Sequence, residues 1–146
     1  WSMVVGSVMY PVRAEATDRK SRLSCVPKHI SLGINGENLA ASYLLSHGYS
    51  IIDRNVRYKW GEIDIIALYN DEIVFAEVRT RHMNKVMPAD TTVGPSKMAK
   101  LIRSAKTWAE SRMYEGYYRI DLIAITVIEG KAPVIEHIKD ITEAIK

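Results

Sequence analysis

At 146 residues, 47% hydrophobic and 25% charged, the chain can bury the core of one domain, which excludes disorder along its whole length. No apolar run approaches the ~20 residues of a membrane helix, and the N-terminus lacks a basic start and a continuous apolar segment, so a cytoplasmic protein without a membrane partner is expected. Twenty Lys and Arg against seventeen Asp and Glu leave only +3, and the single cysteine, Cys25, excludes an internal disulfide.

Residues 1–30 hold no sustained period and begin with Trp1 rather than Met. They read as a loosely attached extension of a single domain over 31–146, with an apolar piece from Met3 to Met9 that would suit an edge strand. From Leu32 to His47 the spacing predicts a helix, because Ala40, Ala41 and Leu44 recur at three- and four-residue steps and Gly48 suits its end. Glu37 lies on or beside the buried stripe. A carboxylate there is costly unless it caps the helix start or joins a site, and the helix alone favours capping.

Tyr49 to Tyr58 predicts a strand carrying Ile51, Ile52 and Val56. Two apolar runs follow, Ile63 to Leu68 and Ile73 to Val78, flanking Asn70-Asp71, a pair that tolerates the left-handed backbone of a tight hairpin turn. With a two-residue turn, Asp64 falls opposite Glu77 and Glu62 opposite Arg79. Alternation then groups Ile63, Ile65 and Ala67 with Val74, Ala76 and Val78 on one face, and the charged set with Ile66, Leu68, Ile73 and Phe75 on the other.

Like charges directly opposed across two strands destabilise them, so Asp64 against Glu77 needs a reason. A divalent cation is one, because Mg²⁺ takes one or two carboxylates and keeps waters that substrate oxygens can replace. A shared proton, or Arg79 reaching back to Glu77, would also serve.

Thr80 to Pro95 reads as a long loop with Arg81, His82 and Lys85. Ser96 suits the N-cap of a second helix ending near Met113, with a core stripe of Met98, Leu101, Ala105 and Trp108. Lys97, Lys100, Arg103 and Lys106 give that helix a basic side, fit for a phosphate backbone or for water alone. Ile120 to Ile128 suits a central strand and Val134 to Ile138 another. The order is helix, three strands, helix, strand and a short final strand, an α/β arrangement of helices over a mixed sheet.

Gly33-Ile34-Asn35-Gly36-Glu37, Gly48-Tyr49, Arg54-Asn55, Gly61-Glu62-Ile63-Asp64, Phe75-Ala76-Glu77-Val78-Arg79-Thr80-Arg81, Lys97 and Arg119-Ile120-Asp121, in this order, resemble the YraN family of bacterial proteins, relatives of Holliday junction resolvases. The resemblance runs from Leu32 to Val127. It implies a restriction-endonuclease-like αβββαβ core and a Mg²⁺ or Mn²⁺ site at Asp64 and Glu77, with the Val78 carbonyl and Glu37 as further ligands. It also implies a DNA substrate, branched or junction DNA included; on a nuclease reading the basic residues Arg81, Lys97, Lys100 and Arg103 would bind flanking phosphates.

One position departs from the pattern. Arg79 stands where the motif carries lysine, and arginine keeps its proton and presents a planar fork rather than an ammonium. Two functions are therefore expected in competition. The first is a metal-dependent endonuclease with Glu37, Asp64, Glu77 and Arg79 as its catalytic set, a homodimer if it cuts two strands symmetrically. The second is a nucleic-acid-binding protein that keeps the fold without useful turnover.

Overall fold

The structure is a computed structural model and describes residues 2–5, 8–11, 35–85 and 87–143. Its elements are β1 (Ser2–Val5), β2 (Val8–Pro11), α1 (Gly36–Ser46), β3 (Ser50–Tyr58), β4 (Gly61–Tyr69), β5 (Glu72–Met83), α2 (Pro95–Ser111), β6 (Tyr118–Ile128) and β7 (Val134–Ile138). β3 to β7 form one five-stranded sheet in sequence order, antiparallel except for the parallel pair β5 and β6 that the α2 crossover joins. Among the described residues β1 and β2 pair only with each other, so these parts of the Met3 to Met9 piece add no edge to the main sheet. The rest of the expected extension lies largely outside the described residues.

α1 covers one face of the sheet, packing Ala40, Ala41 and Leu44 on Ile65, Ala67, Val74 and Ala76. α2 covers the other, packing Leu101, Ala105 and Trp108 on Ile66, Ile73, Phe75 and Ile120. The element order and the mixed sheet between two helices are those of the restriction-endonuclease-like core.

The hairpin turns on Asn70 and Asp71, with φ of 47° and 63°, and its pairs run from Tyr69 opposite Glu72 to Ile65 opposite Ala76. Asn35 caps α1 by accepting from the Glu37 and Asn38 amides, so capping falls to it and not to Glu37. Gly48, at φ 87°, ends that helix.

Several expectations are corrected. β5 continues to Met83 because β6 offers it a parallel partner as far as Met83 opposite Ile128; the long loop therefore begins only at 84. α2 begins with Pro95 at its first position and Gly94 as N-cap, ahead of Ser96, since proline's fixed φ suits a helix start. Ile63 packs with Ile66 on the α2 side, away from Ile65. Strand alternation slips at Asp64, where Asn55 of neighbouring β3 adopts a left-handed φ of 52° between the pairs Arg54–Ile65 and Val56–Ile63.

Candidate active site

Asp64 lies near the middle of β4 and Glu77 near the middle of β5, both on strands that core packing holds on either side. The β4–β5 ladder stops at Ile65 and Ala76, one pair short of them. In place of the next ladder bond, the Val78 amide donates to Asp64 Oδ2 at 2.7 Å. The ladder pairing ends there, and the residues Asp64 and Glu77 are only 7% and 6% exposed.

Both carboxylates are short of compensation. Burial first, then the Glu77 and Glu37 charges, push the Asp64 carboxyl up to about 7, against the Val78 hydrogen bond and the Lys97 charge. Glu77 Oε1 receives the Lys97 ammonium at 3.1 Å, while Glu77 Oε2 is buried and takes no hydrogen bond. A buried carboxylate oxygen without a donor is costly, and a cation beside it would remove that cost.

Among the described residues no three His, Cys, Asp or Glu side chains converge on a metal position. Two carboxylates suffice for Mg²⁺, which retains water in the remaining places. The donor set of Asp64 and Glu77, with its bare oxygen, fits such an ion.

The other sequence candidates divide. Glu37 stands in the first turn of α1, close enough to bear on Asp64 and 4.0 Å from Arg54 Nη2. It is brought there by Gly36, whose absent Cβ would lie 1.7 Å from Thr80 Oγ1 of β5. Arg79 donates from Nη1 to the Thr92 carbonyl, and Glu62 pairs at 3.5 Å with Arg57, its neighbour across β3–β4. The expected Glu62–Arg79 pair is thus absent, because each residue finds a nearer partner where the β4–β5 ladder has ended.

Arg81 donates to Thr126 Oγ1 at 2.9 Å and to the Met87 carbonyl, which ties the segment after β5 back onto the sheet. Lys100 and Arg103 are exposed on α2. Arg103 lies 3.8 Å over the Trp60 ring, whose other neighbour is the stacked Tyr58 and whose indole donates to the buried Ser104. A Cβ at Gly61 would meet Lys100 Cβ at 3.4 Å, so β4 and α2 lie in ordinary contact there.

A second polar cluster went unread in the sequence. Asp121, wholly buried, accepts from Arg119 Nε at 2.9 Å, from the Asp140 amide at 2.9 Å and from His137 Nε2 at 2.8 Å. Arg119 continues to Glu72 and Tyr49, so the group fastens β5, β6 and β7 at the hairpin end. Its sequence signals were the charge inside the apolar run from Ile120 to Ile128 and the Arg119-Ile120-Asp121 landmark, neither of which named its partners.

No helix among the described residues is long and apolar enough to cross a membrane. Compared with known proteins, the pattern of the family described as Uncharacterised protein family UPF0102 matches residues 36–125. A UPF0102 protein of Geotalea uraniireducens is 41% identical over 114 residues, covering 77% of this chain and 90% of that protein. Those of Pseudarthrobacter chlorophenolicus and Rhodococcus opacus are also 41% identical, covering 77% of this chain in each case and 86% and 96% of themselves. The matched residues hold α1, the strands that carry Asp64 and Glu77, and α2 with Lys97, and on that basis the chain belongs to the UPF0102 family.

Proposed function

We propose that the protein is a metal-dependent endonuclease that hydrolyses phosphodiester bonds in DNA, branched or junction DNA among them, in the cytoplasm. The observation that carries this reading is the buried pair Asp64 and Glu77, held together with one carboxylate oxygen left bare. Side chains that served only to bind DNA would gain from being neutral, because carboxylates repel phosphate.

Asp64 and Glu77 would hold Mg²⁺ or Mn²⁺, with the Val78 carbonyl and Glu37 close by. The ion supplies Lewis acidity toward water and phosphate. The chain's own residues do the rest. The Val78 amide fixes the Asp64 carboxylate, burial keeps bulk water from both acids, and Lys100 and Arg103 on the outer side of α2 draw in the backbone on either side of the cut. Lys97 extends that basic surface to Glu77, and Arg81, held on Thr126, would add charge for a flanking phosphate. Cutting two strands symmetrically requires two such sites, which a homodimer would bring together.

A second reading, DNA binding without turnover, has one observation in its favour: Arg79, at the motif lysine's position, is turned to the Thr92 carbonyl. The test is incubation of labelled branched and linear DNA with the protein in Mn²⁺, Mg²⁺ or EDTA, beside Asp64→Asn purified in parallel. Metal-dependent cutting by the wild type alone is expected. Binding of DNA and Mn²⁺ with no cutting would overturn the nuclease in favour of the binding protein.

A further inference from the structure

We infer that Lys97, from the first turn of α2, supplies the ammonium that the strand motif lacks, meeting a non-bridging oxygen of the scissile phosphate while Arg79 acts only as a fastener of the loop. The inference rests on the nuclease reading and names the cation of that same site. Two side chains were available for the task, and the structure separates them. Arg79 leaves β5 two residues beyond Glu77, yet its guanidinium turns through Nη1 to the Thr92 carbonyl of the loop, whereas Glu77 takes its ion pair from elsewhere. Lys97 reaches from the helix covering that face and sets its Nζ 3.1 Å from Glu77 Oε1.

Position and freedom both suit the role. The Lys97 side chain is 39% exposed against 8% for Glu77, so its ammonium touches the buried acid on one side and open space on the other. An ammonium has three donors, and the contact to Glu77 uses one. The packing of Leu101 and Ala105 against Ile63 and Ile66 of β4 seats the helix that starts at Pro95 and carries Lys97. Arginine at 79 need not then stand in for a lysine whose shape and hydration it does not share.

In the step this serves, the water oxygen bonds to phosphorus and the bond from phosphorus to one sugar oxygen breaks. The water yields its proton to solvent, the departing oxygen takes one up, and Lys97 keeps its own proton throughout. Its part is to offset the charge that gathers on the phosphate oxygens.

The experiment compares wild type, Lys97→Met and Arg79→Ala on labelled branched DNA with Mn²⁺, reading kcat and KM separately, and measures Mn²⁺ binding by calorimetry. A fourth protein, Lys97→Cys in a Cys25→Ser background, is assayed before and after alkylation with 2-bromoethylamine, which rebuilds a lysine-like chain. Expected are a fall of about 100-fold in kcat for Lys97→Met, the magnitude seen when one preorganised donor to a transition state is removed, and a far smaller change for Arg79→Ala. Alkylation should restore most of the lost kcat, and Lys97→Met should bind Mn²⁺ no more weakly than wild type, since a competing cation has gone.

Wild-type kcat in Lys97→Met, with cutting otherwise intact, overturns the role of Lys97 and leaves the nuclease standing. So does weaker Mn²⁺ binding by Lys97→Met, which would make the lysine a prop for Glu77. A larger kcat loss in Arg79→Ala than in Lys97→Met would return the task to the strand. No cutting by any of the proteins removes both readings together.

Discussion

The Val78 amide and the Asp64 carboxylate form a 2.7 Å hydrogen bond where the β4–β5 ladder would have placed a main-chain carbonyl. A side chain thus substitutes for backbone beside the two acids, where the ladder pairing ends. Holding two carboxylates there is a stability cost that the fold carries without a cation.

Asp64→Asn should therefore stabilise the protein in EDTA, in a pH-dependent manner. The folded carboxyl titrates at about 7 against an ordinary value of 3.8, so the folded state binds this proton more tightly than the unfolded chain does. Stability falls as pH rises between those values, and the full cost is present above the upper one. Urea denaturation should show Asp64→Asn more stable than wild type by about 2 kcal/mol at alkaline pH, shrinking to nothing in acid. A loss of stability on the alkaline side would mean the Val78 bond outweighs burial.

Asp121 behaves in the opposite sense. Burial alone would raise its pKa, but hydrogen bonds from His137, Arg119 and the Asp140 amide, with the Arg119 charge, outweigh burial and hold it below the usual range. The stability it contributes is complete above the unfolded value of 3.8 and is lost as pH falls through the lower folded one. Asp121→Asn should cost about 3 kcal/mol at neutral pH, since Arg119 and His137 lose their shared acceptor. Its denaturation midpoint should also fall less than that of wild type on moving into acid.

Gly36→Ala places a methyl 1.7 Å from Thr80 Oγ1 and 2.9 Å from Thr80 Cβ, which α1 can relieve only by lifting from β5. A loss of about 2 kcal/mol is expected. Thr80→Ala should recover part of it, and the coupling from the double-mutant cycle is the measurement. Purely additive effects would place the collision elsewhere.

Arg81→Ala frees the Met87 carbonyl and Thr126 and should lower global stability by about 1 kcal/mol, because of the two hydrogen bonds it removes the one to Met87 is exposed and the one to Thr126 is part-buried. Trypsin should cut after Lys85 faster in this variant under native conditions. An unchanged cutting rate would show that the Glu136 bond to the Ala89 amide holds the segment unaided.

Much of this was legible in the chain because it depends on local pattern. The Asn70-Asp71 turn set the register as expected as far as Ile65 opposite Ala76, one pair short of Asp64 and Glu77, whose charges act on each other. What alternation could not show was the slip beside Asn55 that carries Ile63 across the sheet, since a left-handed asparagine inside a strand leaves no periodic trace. Glu62 and Arg79 were matched by an ideal ladder that in fact ends early. Lys97 was read as part of a basic helix face, because its contact to Glu77 is set by how α2 packs on β4, a relationship between elements distant in sequence. The Asp121 cluster needed β7 in place before its charge had partners.

β5 is flanked on one side by β4 and on the other by β6, and it carries Glu77 in its buried half. Amide protons at Phe75 and Ala76, inside the two core clusters, should exchange with solvent more slowly than those of 87–94. Glu77 is thus mounted on the central strand of the sheet, and adjustment to a bound strand falls first to the loop and the helix beside it.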